Sequence, residues 1–122
     1  MVSLASFKYA ARGLKEVISS ERNAKIHLFF AVLAIILSIV LRIGKLEFLF
    51  VFLSIVLVFF AEIINTAMEK SLDLISQENN HLVQQTKDMM AAAVLVTAIG
   101  SLVVAAAVFA PYIWELIISI KK

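Results

Sequence analysis

The chain has no cysteine, one proline and three glycines among its 122 residues. The lack of cysteine excludes a disulfide framework and any Cys-ligated metal site, and leaves the redox compartment open. The glycines stand alone at Gly13, Gly44 and Gly100. They build no Gly-rich phosphate loop, so a nucleotide bound here is bound without a P-loop. Charge is sparse: the formal net charge is +2 and no run of five basic residues occurs. Nucleic acid is therefore excluded as a partner on charge grounds. The first twenty residues mix charged and apolar positions and contain no h-region, which predicts insertion through an internal spanning segment rather than a cleaved leader.

What the chain does have is apolar side chains, at 62% of residues and a mean hydropathy of +0.99. A soluble domain of this size is about half apolar. The excess comes in blocks, which predicts an all-α integral membrane protein forming one domain over residues 1–122. Residues 3–20 place Leu4, Phe7, Ala11, Leu14 and Ile18 three and four apart, with Lys8, Arg12, Lys15 and Glu16 between them. This is an amphipathic helix suited to the membrane interface, the alternative being a helix packed on its own bundle. Apolar runs predict spans at about 24–42, 46–69 and 88–110. The segment SLDLISQENNHLVQQTKD reads as a long polar loop between the second and third. The third span is rich in small residues, which allow close helix approach. Pro111 is expected to end or kink it, leaving residues 111–122 as an interfacial tail with Tyr112 and Trp114 at headgroup level. Seven Lys and Arg flank one side of the spans (8, 12, 15, 22, 25, 70, 87) and four the other (42, 45, 121, 122). The bias predicts a cytoplasmic N-terminus and a cytoplasmic polar loop in a multi-pass protein of the cell membrane.

A polar stripe interrupts the second span: Glu62, Asn65, Thr66, Glu69 and Asp73. Glu62 and Glu69 are two turns apart on one helix face. Ionisable groups at membrane depth are costly and normally face a bundle interior, a cavity or a partner ion. Glu21, Asn80, Lys87 and Asp88 fall on the same predicted side. Phosphoryl transfer needs such a set: carboxylates for Mg²⁺, cations on the phosphates, and an acceptor for the nucleophile's proton. Glu21 and Glu69 supply carboxylates if their elements pack together, Glu62 lies where a lipid hydroxyl would reach, and Lys87 stands at the start of the third helix. Carboxylates near a helix end are also often plain interfacial charges, a reading that fits Glu69, Lys70 and Asp73 taken alone. Glu62 resists it, with about four apolar turns before it. His27 and His81 read as lone structural histidines, and Met68 and the phenylalanines as lipid-facing or core surface.

The segments KYAARGLKEVISSERNAKIH, AEIINTAMEKSLD and KDMMAAAVL, in that order, cover roughly residues 7–95. In them the chain resembles the prokaryotic diacylglycerol kinase family, and within it the Gram-positive undecaprenol kinase branch. The resemblance implies a surface helix plus three transmembrane helices, a homotrimer with composite sites, and Mg²⁺-dependent transfer from ATP to a lipid alcohol. It implies Glu62 as general base, Glu21 and Glu69 as Mg²⁺ carboxylates, and Asn65 and Asp73 as polar support. It also implies Tyr9, Glu21, Glu69, Glu78, Asn80, Lys87 and Asp88 as nucleotide contacts. Met90 and Ala91 stand where Gram-negative members carry Gly-Ser, and the ERNAKIH form tilts the acceptor toward undecaprenol over diacylglycerol. The alternative from another class is a non-catalytic small membrane protein or exporter subunit, which would keep a buried glutamate but has no need of Glu21, Lys87 and Asp88.

Overall fold

Four α-helices follow one another in the computed structural model, which describes residues 3–75 and 80–122. They are α1 (Leu4–Ser20), α2 (Arg22–Val40), α3 (Lys45–Ile75) and α4 (His81–Ile120). No strand occurs among the described residues. Helices α2, α3 and α4 are each long and apolar enough to cross a membrane. The expected surface helix plus three spanning helices is the observed architecture.

Local chemistry sets the boundaries. Ser3 opens α1 by accepting a hydrogen bond from the Ser6 amide, which satisfies one of the free donors of the first turn. Glu21 then takes an extended backbone conformation (φ −105°, ψ 122°) and separates α1 from α2 without a loop. Val17 is the buried residue of α1. Ile18 is half-buried beside it, while Leu4, Phe7 and Leu14 stay exposed, as an interfacial helix requires. Helix α1 packs on α2 and α3, and Lys70 Nζ reaches Glu16 Oε1 at 3.0 Å. Both partners are more than half exposed, so the pair orients the helix more than it stabilises it.

The turn between α2 and α3 closes with a doubly bonded cap. The Ile43 amide donates to the Ser38 carbonyl and the Arg42 amide to the Ile39 carbonyl, the Schellman pattern. Arg42 occupies the left-handed position, at φ 51°, where glycine is the usual residue. Glu47 then accepts from the Gly44 amide at 3.2 Å, capping the start of α3. Tyr112 of α4 donates its hydroxyl to Glu47 Oε2 at 2.6 Å, fastening α4 beside the turn.

Helices α3 and α4 form the most extensive interface, and both overrun the expected spans. At 31 and 40 residues they are about 46 and 60 Å long, against an apolar membrane core of ~30 Å. Most of the expected polar loop is therefore helical. Helix α3 continues to Ile75, and Asn80 caps α4 by accepting from the Leu82 amide at 2.9 Å. Gln, Lys and Leu in this segment are good helix formers, and their polarity marks exit from the membrane rather than the end of a helix. Helix α4 likewise does not end at Pro111 but runs through it to Ile120. Proline is tolerated in apolar spanning helices when neighbouring groups compensate for the lost bond.

The αL conformation costs a non-glycine residue about 1 kcal/mol. Arg42→Gly is expected to raise the unfolding free energy of the detergent-solubilised protein by roughly that amount. A denaturant or thermal titration showing no gain would mean that the turn carries no such strain.

Candidate functional site

The polar stripe of α3 continues the helix face that packs inward. Val51, Val58, Ala61, Glu62 and Thr66 are its buried residues, spaced so that the apolar half and the polar half share one side of the helix. Glu62 is 2% exposed and is the largest fully buried side chain among the described residues. Asn65 and Glu69, one and two turns further, are half-buried.

Across from Glu62 stands His27 of α2. Its Nε2 lies 3.2 Å from Glu62 Oε1, and its side chain keeps 22% exposure. The approach is close, but hydrogen-bond alignment is lacking. Glu62 Oε1, Asn65 Oδ1 and Thr66 Oγ1 are buried oxygens without a hydrogen-bond partner among the described residues. Three unpaired polar oxygens within about one turn of helix, two of them acceptors and the Thr66 hydroxyl able to donate or accept, mark a site whose hydrogen bonding is unmet. The charges of Glu21 and Glu69 also act on Glu62, so three carboxylates and one imidazole share this end of the bundle.

On its membrane side, His27 lines a partly open cavity of about 180 Å³ walled by α2, α3 and α4. Ala31, Leu37, Val58, Phe59 and Phe109 form much of its wall. The cavity runs from the level of the carboxylates toward the α2–α3 turn and is lined almost wholly by apolar side chains.

The remaining expected site residues are distributed around this centre. Glu21 lies at the α1–α2 junction, half-buried, with no side-chain capping bond of its own. Lys87 Nζ donates to Asp73 Oδ1 at 2.7 Å, tying the start of α4 to the end of α3. Asp73 is 65% exposed. Asp88 accepts from Gln84 Nε2 at 3.0 Å. Tyr9 projects from α1 with the Arg12 guanidinium 5.7 Å from its ring centre. Asn80 is committed to capping α4. Glu78 lies outside the described residues. Among the described residues, no hydrogen bond or ion pair links Tyr9, Asn80 or Asp88 to Glu62. The structure thus gathers Glu21, Glu62, Asn65 and Glu69, pairs Lys87 with Asp73, and leaves Tyr9 and Asp88 apart.

The sequence marks His27 as a lone structural histidine, and the structure gives it a neighbour in Glu62. The signal was present in the connectivity. Two antiparallel helices joined at Gly44 reflect about that residue, and His27 lies seventeen positions before it and Glu62 eighteen after. Thr66 belonged to the stripe but was given no role; it is buried with its hydroxyl unpaired.

A divalent cation fits the donor chemistry. Among the described residues no three His, Cys, Asp or Glu side chains form a metal-holding group. Mg²⁺ asks for less, being commonly held by one or two carboxylates together with substrate phosphates and water. Glu21 and Glu69, whose charges both act on Glu62, are carboxylates of the kind such a site would use.

Comparison with known proteins agrees in kind. Residues 8–109 match the family described as prokaryotic diacylglycerol kinase. Undecaprenol kinase of Bacillus subtilis is 34% identical over 106 residues, covering 87% of this chain and 86% of the relative. Diacylglycerol kinase of Synechocystis is 32% identical over 116 residues, covering 94% of this chain and 66% of that protein. Diacylglycerol kinase of Haemophilus influenzae is 32% identical over 91 residues, covering 75% and 77%.

A buried hydroxyl without a partner destabilises the fold that holds it. Thr66→Val keeps the shape and removes that hydroxyl, and is expected to stabilise the protein by ~1 kcal/mol in equilibrium unfolding. A loss of stability would show that Oγ1 is satisfied in the assembled protein.

Proposed function

The chain belongs to the prokaryotic diacylglycerol kinase family, membrane lipid kinases that draw on ATP, and we propose that its acceptor is undecaprenol, which it converts to undecaprenyl phosphate. The observation that carries this reading is the buried carboxylate of Glu62 beside an apolar cavity bounded by three helices. A polyprenol presents a single chain behind its hydroxyl, and a narrow cavity of about 180 Å³ suits the first part of one chain. Diacylglycerol presents two chains. It remains the second reading because two similar proteins are diacylglycerol kinases.

In the proposed reaction Glu62 accepts the proton of the lipid hydroxyl. The freed oxygen forms a bond to the γ-phosphorus of ATP while the bond from that phosphorus to the β–γ bridging oxygen breaks, and its electron pair leaves with ADP. Glu21 and Glu69 would hold Mg²⁺, which when bound neutralises charge on the phosphates. Lys87 turns from Asp73 toward the same phosphates, Asp73 and Asn65 keeping the polar wall in register. Tyr9, Asn80, Asp88 and Glu78 are assigned to the nucleotide.

The exposed positions of Tyr9 and Asp88 favour sites completed by a neighbouring copy, in a homotrimer with composite active sites. The Lys and Arg bias supports a cytoplasmic N-terminus, which puts Glu62 and its neighbours on the ATP side of the cell membrane. The whole chain then acts as one lipid-kinase domain.

Purified protein given Mg²⁺-ATP with undecaprenol and diacylglycerol in parallel is expected to phosphorylate undecaprenol at the higher kcat/KM. Chelation of Mg²⁺ is expected to stop transfer to either lipid. Glu62→Gln is expected to lower kcat by about 10²–10⁴-fold, the range for loss of a general base, with membrane insertion unchanged. Higher kcat/KM for diacylglycerol moves the acceptor to that lipid, and an active Glu62→Gln protein removes the carboxylate from the chemistry.

A further inference from the structure

We propose that His27 is the positioning residue for Glu62, holding one carboxylate oxygen so that the other faces the acceptor hydroxyl. The proposal rests on the reading of Glu62 as the base. A carboxylate can rotate about its last bond, and general-base catalysis requires one oxygen within hydrogen-bond reach of the hydroxyl in a fixed direction. Among the described residues, no backbone or side-chain donor makes a hydrogen bond to Glu62 Oε1. The closest candidate is His27 Nε2, at 3.2 Å. At that distance an Nε2–H directed at the oxygen would supply the missing hydrogen bond. The pair then resembles the carboxylate–imidazole couples that fix ring or carboxylate orientation in many active sites.

The placement of His27 supports the assignment independently of the distance. Its side chain both approaches Glu62 and lines the apolar cavity. A lipid whose chain occupies the cavity must present its hydroxyl past the His27 ring to meet the carboxylate. Along α2, His27 is followed by Ala31, Ala34 and Leu37 on the cavity wall, and the buried Ser38 beyond them turns its hydroxyl back onto the Ala34 carbonyl, so His27 is the α2 wall residue that carries an ionisable group. Ala24, one turn earlier, is fully buried. It anchors the start of α2 and limits how far the imidazole can drift from Glu62.

The test uses the full chain in phospholipid vesicles with Mg²⁺-ATP and undecaprenol. His27→Leu keeps the bulk and removes the donor. It is expected to lower kcat by about 100-fold, the cost of misplacing a reacting group by ~1 Å, with the KM for ATP within about twofold of the parent. His27→Gln, whose amide N–H reaches the place of Nε2, is expected to restore kcat at least tenfold over the leucine variant. A purely packing role predicts the reverse order, since leucine suits an apolar wall better than glutamine. A leucine variant with more than half the parental kcat overturns the proposal, as does a glutamine variant no better than leucine. If His27→Leu fails to assemble, His27→Ala with added imidazole replaces it: recovered turnover supports the assignment, and none refutes it. Activity in Glu62→Gln sinks the base assignment itself, and this proposal with it; a dead Glu62→Gln beside unaffected His27 variants sinks this proposal alone.

Discussion

The cost of keeping a carboxylate out of water governs this molecule. An ionised carboxylate in an apolar setting is penalised by several kcal/mol unless partners repay it, and Glu62 is 2% exposed within a helix that is otherwise apolar for most of its length. The neighbouring elements answer to that constraint. Helix α2 brings an imidazole to 3.2 Å. The α1–α2 break places Glu21 nearby instead of another apolar residue, and α3 adds Asn65, Thr66 and Glu69 on the same face. These additions do not neutralise the carboxylate, since two of them are carboxylates themselves. A cluster arranged for stability would have put a lysine or arginine there. A concentration of like charge and unpaired acceptors is instead what a site for cations and proton donors looks like.

The two ends of the bundle are built for different tasks. At the α2–α3 turn the polar groups bond one another: Glu47 caps Gly44, Tyr112 bonds Glu47, and the Ser38 and Ile39 carbonyls ending α2 are satisfied by the Schellman bonds. This end is closed and holds register between α3 and α4. At the opposite end the ion pairs are exposed and few, Lys70 with Glu16 and Lys87 with Asp73. Exposed pairs contribute little to stability and separate easily. A site that must admit ATP and release ADP belongs at the end whose contacts open at low cost.

Much of this was legible in the sequence because apolar length and helical spacing are one-dimensional signals. The three spanning helices follow from run length, α1 from its three-four spacing, and the buried face of α3 from Glu62, Asn65, Thr66 and Glu69. What misled was the equation of polarity with loop. The stretch from Ser71 to Asp88 is polar because it leaves the membrane, yet helix covers residues 71–75 and 81–88 of it. Of the two outcomes expected at Pro111, an end or a kink, the end does not occur: α4 runs through it, since rules drawn from soluble helices overstate proline's power to end a helix in an apolar setting. His27 required pairing two helices in space, and its partner is thirty-five residues away. Composition and periodicity carry no such distance. Reflecting the sequence about the Gly44 turn supplies it.

The unpaired oxygens of Glu62, Asn65 and Thr66 also bear on how an acceptor would be chosen. Discrimination by an apolar pocket is weak, at about 1–3 kcal/mol for a methylene, whereas a site with unmet hydrogen-bonding groups rejects strongly any ligand that leaves them unmet. The cavity walls therefore sort lipids only coarsely, by whether a chain fits between α2, α3 and α4. The acceptor cluster sorts by the headgroup, favouring a small group that brings a donor to buried oxygens and excluding one that brings another acceptor. A primary hydroxyl satisfies that demand. A phosphorylated lipid no longer brings that donor to Glu62. The unpaired oxygens that make Glu62 expensive to bury would thus favour an alcohol over its phosphate at this position.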